Sequence, residues 1–215
     1  MTLAKQLENQ LTKAKANIPA EKLAVMAQAT TELINSGIAE QTLQVGDTLP
    51  PINLPNALGK TVNTQDLLTE GALVISFYRG QWCPYCNLEL RALQQALPEF
   101  KALGASLVAI SPQNPDNSLS TTEKNELTFE VLSDVGNQVA RQLGLVFQIP
   151  EQLRPIYQSF GIDLPEHNGD ETFELPIAAT YVINRDGKVV YAFVNPDYTQ
   201  RAEPADILAA VANLK

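Results

Sequence analysis

Three short apolar runs, each followed by a helical pattern, constrain this chain more than any other feature. Ala72–Tyr78 and Ser106–Ile110 read as strands buried on both faces, and Thr128–Leu132 as a third strand. A long helical pattern opens at Cys83-Pro84 after the first run. Asn114-Pro115 follows the second and suits a helix start, with Asn as cap and Pro in the first turn. Asn137–Leu143 reads as a short helix closed by Gly144, and Pro150–Phe160 as helical. Gly161–Glu174 carries little regular pattern and is expected to be a long loop. Ala178–Asn184 and Lys188–Val194 are strands joined by the turn Asn184-Arg185-Asp186-Gly187, and Pro204–Leu214 is a closing helix. Strand–helix alternation followed by a hairpin and a helix predicts an α/β/α sandwich of three layers. Its central sheet is mixed, with parallel early strands joined by right-handed crossovers and an antiparallel hairpin.

Two amphipathic helices precede this domain. Leu3, Leu7, Leu11 and Ala14 are spaced helically within residues 3–16. Beyond Pro19, Leu23, Met26, Ala27, Thr30, Leu33 and Ile34 mark a second helix ended by Ser36-Gly37. Residues 1–42 are read as an N-terminal helical extension and residues 43–215 as the domain. The apolar stripes of the extension must be covered by the domain or by another copy of the chain, as in a homodimer. Residues 44–63 are rich in Gly and Pro and read as loop, with a short helix around Gln65–Leu68.

Charge narrows the classes of partner. Residues 1–42 carry four charges of each sign, so the whole net charge of −9 falls on residues 43–215. A domain this acidic repels phosphate backbones and anionic lipid, which disfavours nucleic acid and membrane surfaces. The longest apolar stretch, Ala72–Ile75 with Phe77 and Tyr78 beyond, is far short of the ~20 residues a spanning helix needs. The first residues have no hydrophobic signal core, so a soluble cytoplasmic protein is expected.

The chain has two cysteines, Cys83 and Cys86. A bond between them would close a very short loop and remove little unfolded-state entropy, so structural stapling is a poor use of the pair. The first buried strand delivers the chain to the carboxyl edge of the sheet, where α/β proteins place their sites. Cys83 then falls where a helix cap belongs, and Pro84 suits the first helical position because its missing N–H has no role there. The unpaired N–H groups and positive dipole end of a helix lower a thiol pKa from ~8.5 to ~3.5–7.5. Cys86, Leu90, Leu93, Leu97 and Phe100 form one buried stripe along that helix. Cys83 is therefore expected to be the exposed, activated sulfur and Cys86 the shielded sulfur that attacks a bond formed on Cys83. Pro98 should end or kink the helix. A structural zinc wants four ligands, and Cys83, Cys86 and His167 would need carboxylates to complete such a set. Inert buried thiols would make Pro84 and the helix cap accidental.

Trp82-Cys83-Pro84-Tyr85-Cys86 after a buried strand resembles the redox motif of thioredoxin-fold proteins. The wider string resembles the alkyl hydroperoxide reductase/thiol-specific antioxidant superfamily, in its peroxiredoxin-like branch with Cys-x-x-Cys. The matching segments are Val45–Asp47, Arg79–Asn87, Leu153–Tyr157, Ala179–Gly187 and Arg201–Pro204, so the likeness covers about residues 43–214. It implies a thioredoxin-like fold and peroxide reduction through a cysteine sulfenic acid. Two departures stand out. Typical peroxiredoxins have Pro-x-x-x-Thr/Ser-x-x-Cys, whereas the positions seven and three before Cys83 are Ser76 and Gly80. Another donor must therefore polarise the O–O bond. The place of the cis-proline of thioredoxin-type reductases is taken by Ala178.

The resulting expectation is a thiol peroxidase. Cys83 attacks a hydroperoxide, Cys86 resolves the sulfenic acid as an intramolecular disulfide, and a thioredoxin- or glutaredoxin-type dithiol restores the thiols. This chemistry calls for no metal and no organic cofactor. The alternatives are a thiol–disulfide oxidoreductase acting on protein disulfides, and a non-catalytic redox sensor whose N-terminal helices engage a partner. Arg79, four residues before Cys83, is either an electrostatic aid or a solvated strand end. Arg154, Tyr157 and Arg201 lie in the matching segments, but sequence alone cannot aim them. Trp82 is expected to shield the sulfur, Tyr85 to be exposed, and His167, Asp170 and Glu171 to be solvated loop residues.

Overall fold

In the computed structural model, which describes residues 1–214, the chain opens with α1 (Leu3–Asn17) and α2 (Ala20–Asn35). A small antiparallel hairpin follows, β1 (Asn53–Pro55) with β2 (Thr61–Asn63), then α3 (Thr64–Glu70). The domain continues through β3 (Ala72–Phe77), α4 (Pro84–Ala102), β4 (Ala105–Ser111), α5 (Pro115–Lys124), β5 (Glu130–Ser133) and α6 (Gln138–Gln142). It then runs through β6 (Val146–Gln148), α7 (Arg154–Ser159), α8 (Leu164–Asn168), β7 (Glu174–Pro176), β8 (Ala178–Ile183), β9 (Val189–Asn195) and α9 (Pro204–Ala212).

The central sheet has the order β5-β4-β3-β8-β9. β3 runs parallel to β4 and β4 to β5, while β8 is antiparallel to both β3 and β9. The predicted mixed sheet is therefore present. Alternation along β3 sets its two faces. Leu73, Ile75 and Phe77 join a core with Leu68, Val139 and Leu143, whereas Val74 and Tyr78 join one with Leu90, Leu93, Leu97 and Phe100 of α4 and Ile207 and Val211 of α9. Ser76 faces the α4 layer, where its hydroxyl donates to Glu89.

The N-terminal stripes are covered within the chain in part, since Ile34 remains 48% exposed. Leu3 and Leu7 sink into the α4 core, and Ala29 of α2 packs with Ile149, Leu153 and Ile156. Glu203, just before α9, accepts from the Leu3 amide at 3.3 Å and also from the Ala4 amide. These are free donors of the first turn of α1, which carries no acidic residue of its own.

Three expectations are corrected. Pro98 neither ends nor visibly interrupts α4, which continues to Ala102. Leu97 and Phe100, on either side, are buried in the core, and that packing outweighs the lost hydrogen bond. Residues 161–174 contain α8, whose Asp163 cap accepts from the Glu166 amide and whose Gly169 closes it in the left-handed region. The loop-rich stretch 44–63 holds the β1–β2 hairpin, turned by Asn56, whose side chain accepts from the Leu58 and Lys60 amides.

Candidate active site

Cys83 is the N-cap of α4, with extended backbone (φ −84°, ψ 113°), and Pro84 follows in the first turn. Its N–H donates to the Gly80 carbonyl at 3.1 Å, and its carbonyl receives the Asn87 N–H at 3.1 Å. The turn before it is held from the side by polar residues. Gln113 accepts from the Gln81 amide at 2.7 Å, Asn87 donates to the Gln81 carbonyl at 2.8 Å, and the Gln81 side chain reaches Asn117 at 2.9 Å. Gly80 has φ +152°, and a Cβ there would lie 2.4 Å from Trp82 Nε1 and 2.9 Å from Gln113 Oε1. Gly80→Ala is expected to cost about 1–3 kcal/mol through strain and displacement of Trp82. Denaturant unfolding checks this, and a loss within about 0.5 kcal/mol would mean that the turn adapts.

Both sulfurs are buried, and both thiols are free. The expectation of an exposed Cys83 is corrected. Tyr78 and Tyr85 share a hydrophobic cluster with Cys83, and Trp82 and Tyr198 pack against that cluster. Tyr85, expected at the surface, is itself buried, edge-on to Tyr198 at 5.5 Å. With both sulfurs fully buried, exposure no longer ranks them, and their electrostatic surroundings do. Burial opposes ionisation of Cys83, but the Cys86 thiol, the Arg79 and Arg201 guanidinium groups and the Cys86 amide together hold it well below the ordinary thiol range. Burial and the adjacent Cys83 push Cys86 well above that range, against the pull of Arg201 and Arg79.

The two arginines flank the pair. Arg79 is buried, not a solvated strand end. Its guanidinium carbon stands 4.4 Å from the Tyr198 ring centroid and 5.0 Å from that of Trp82, and it donates to the Tyr157 hydroxyl at 3.3 Å. Arg201 donates to Cys86 Sγ at 3.2 Å, to Glu89 at 2.6 Å and to the Tyr198 and Gln200 carbonyls. Glu89 also accepts from Ser76 at 3.4 Å and Thr180 at 3.3 Å. Burial pushes Glu89 up to about 7, against the pull of Arg201.

Arg79, Trp82, Tyr157 and Arg201 are thus brought together around the cysteines, and Arg154 is not. It lies over the Phe173 ring at 4.2 Å. His167 lies in α8, where its carbonyl receives the Asn114 and Asn117 N–H groups and burial lowers its pKa. Asp170 accepts from Thr172 in the adjoining turn. Among the described residues, no group of three or more His, Cys, Asp or Glu side chains is placed to hold a metal ion. Sequence reasoning missed Glu89 and Tyr198. Glu89 had a signal, because it lies three residues after Cys86 and one before Leu90, an acid on an apolar stripe that demands a buried cation.

A mixed sheet in this order, with Cys-x-x-Cys opening the helix after β3, is the thioredoxin-like arrangement. The chain belongs to the AhpC/TSA family, whose model matches residues 45–192. It is 33% identical over 103 residues to peroxiredoxin Bcp of Escherichia coli K12, covering 48% of this chain and 65% of that protein. The aligned part thus falls short of two thirds of that relative. Chloroplastic peroxiredoxin Q of Sedum lineare is 28% identical over 150 residues, covering 70% of this chain and 68% of that protein. The crystal structure of peroxidoxin BcpB from Mycobacterium tuberculosis superposes with a TM-score of 0.64 at 22% identity, covering 80% of this chain and 99% of that one. Among the described residues, no helix is long and apolar enough to cross a membrane.

Proposed function

We propose that this chain is a thiol peroxidase in which Cys83 is the attacking sulfur and Cys86 the resolving one. The observation that carries the reading is the placement of the two thiols, with Cys83 as the N-cap of α4, Pro84 after it, and Cys86 one turn on, its sulfur accepting from Arg201 at 3.2 Å. Membership of the AhpC/TSA family supports peroxide over a protein disulfide as the oxidant.

The Cys83 thiolate attacks the terminal oxygen of a hydroperoxide. An S–O bond forms, the O–O bond breaks, two electrons leave the sulfur, and the remaining fragment departs as an alcohol or water after taking a proton. The Cys86 thiol then attacks the sulfenic sulfur. A disulfide forms, and the hydroxyl leaves as water with the thiol proton. A thioredoxin- or glutaredoxin-type dithiol reduces the disulfide and is itself oxidised. On this reading residues 1–42 are an extension wrapped on a peroxidase domain of residues 43–215. The reaction suits the cytoplasm, whose thiol pools keep such a pair reduced.

Stoichiometric hydrogen peroxide is expected to convert the protein to a species lighter by two hydrogens, with peptide mapping joining Cys83 to Cys86. The rate constant should stay level through the alkaline range and decline only as pH drops through the depressed Cys83 pKa, because the thiolate is the nucleophile. A rate that climbs roughly tenfold per unit up to ~8.5 would mark an ordinary thiol and sink the reading.

A further inference from the structure

Among the described residues, Glu89 and Asp134 are the buried carboxylates. Asp134 has a structural part, accepting from the Val139 and Ala140 amides at 3.0 and 2.9 Å at the start of α6. The peroxide chemistry above gives Glu89 no part. Three residues after Cys86, it lies on the same side of α4. Its Oε1 accepts from Ser76 of β3 at 3.4 Å and from Thr180 of β8 at 3.3 Å, which pins the carboxylate to the sheet. Its Oε2 accepts from Arg201 Nε at 2.6 Å, and the two side chains are 2% and 1% exposed. The Tyr198 and Gln200 carbonyls hold Arg201 Nη1, and Nη2 meets Cys86 Sγ at 3.2 Å. Each guanidinium nitrogen thus has its own partner, and the rigid fork fixes where Nη2 points. An ion pair this deep is a weak source of stability compared with apolar packing, so its place beside a sulfur calls for another account.

One positive charge lies between Glu89 and Cys86. When Glu89 is ionised, the guanidinium is already balanced and lends little to a Cys86 thiolate. A neutral acceptor at position 89 would leave the whole charge to the sulfur. Glu89 is faced by Arg201 from the segment before α9, by Cys86 on its own helix, and by the hydroxyls of β3 and β8. Cys86 is faced by Cys83, Arg79, Arg201 and Tyr78. α1 and α9 pack on α4 through Leu3, Leu7, Ile207 and Val211, which bring no charge.

We infer that Glu89 is a positioning residue for disulfide closure: it aims the Arg201 guanidinium at Cys86 and offsets its charge, so that Cys86 waits as a thiol until Cys83 has been oxidised. The inference rests on the reading of Cys86 as the resolving sulfur. A resolving sulfur that ionised early would compete with Cys83 for the charge of Arg79 and Arg201. In the closing step the Cys86 sulfur bonds to the Cys83 sulfur and the S–O bond breaks. The oxygen leaves as water with the proton that Cys86 gives up.

The test uses the full chain and Glu89→Gln, which keeps an acceptor for Arg201 and removes the charge. In a Cys83→Ser background, the ultraviolet absorbance of the Cys86 thiolate should show ionisation about one pH unit lower with Gln than with Glu. With Cys83 present, closure after stoichiometric hydrogen peroxide is timed by quenching and intact mass. Tenfold more thiolate, offset by about threefold lower nucleophilicity, should speed closure about threefold at a fixed pH. Arg201→Lys cannot reach Glu89 and Cys86 at once, and should raise the Cys86 midpoint and slow closure about tenfold. In the wild type, carboxyl NMR should show the Glu89 midpoint fall when diamide joins the two sulfurs, a readout that needs no variant to fold. A structural role alone predicts slower closure in Glu89→Gln with the Cys86 midpoint unmoved. That result, or a Glu89 midpoint indifferent to the disulfide, overturns the inference and leaves the peroxidase intact. A chain that forms no disulfide with peroxide overturns the reading beneath it.

Discussion

Cys83→Ser is expected to abolish peroxide consumption, a loss of at least about a thousandfold, while Cys86→Ser completes one turnover and stops. A serine hydroxyl at position 83 would not ionise at neutral pH, even beside Arg79 and Arg201, and it lacks the polarizable sulfur that accepts an oxygen. Cys86→Ser keeps the attacking thiolate and removes the group that closes the disulfide. Its Cys83 should then accumulate as sulfenic acid and, with excess peroxide, proceed to the sulfinic state. Consumption assays and intact-mass measurements distinguish the two variants. Turnover by Cys83→Ser at the wild-type rate would remove the assigned nucleophile.

Glu89→Ala is expected to cost about 3–5 kcal/mol of stability. The substitution leaves the buried Arg201 guanidinium without its carboxylate and strands three donors, Arg201 Nε, Ser76 Oγ and Thr180 Oγ1. At roughly 2–4 °C per kcal/mol for a chain of this size, the midpoint should fall on the order of 10 °C. Glu89→Gln keeps an acceptor for Ser76 and Thr180 and should fall less. The pH dependence has an unusual sign. Glu89 titrates near 7 in the fold, above the ordinary carboxylate value of 4.5, so between these values the folded chain binds more protons than the unfolded one. Stability from this group is full below about pH 4.5 and is lost as pH rises through about 7, and Glu89→Gln should flatten that slope. Calorimetry across this range checks both statements. A change under about 1 kcal/mol for Glu89→Ala would mean that water, not Glu89, serves the guanidinium.

Much of the architecture was legible because local rules and the global fold agree. Pro84 at the first helical position and an apolar strand before it marked the α4 start, and Asn114-Pro115 marked α5. Other features escaped because their causes are not local. The cluster that buries Cys83 is joined by Tyr198, far along the chain, and no pattern near Cys83 announces it. Pro98 stays helical because its neighbours are packed, which propensity does not register. The missed α8 did carry local signals in Asp163, Pro165 and Gly169, but so short a helix offers too few turns for periodicity. Arg79 and Arg201 illustrate the same divide within the site. Their positions in the chain were plain, whereas their aim at the sulfurs depends on packing between distant segments.

Glu203 holds the leading amides of α1, and Arg201, two residues earlier, holds the Cys86 sulfur. The beginning and the end of the fold are thereby latched at one spot beside the dithiol. Fraying of the first helix, by heat or by a protease, should slacken the turn that carries the guanidinium. Loosening at the amino end of the chain is thus transmitted to the redox pair through the Glu203 carboxylate as well as through the packing of Leu3 and Leu7 on the α4 core.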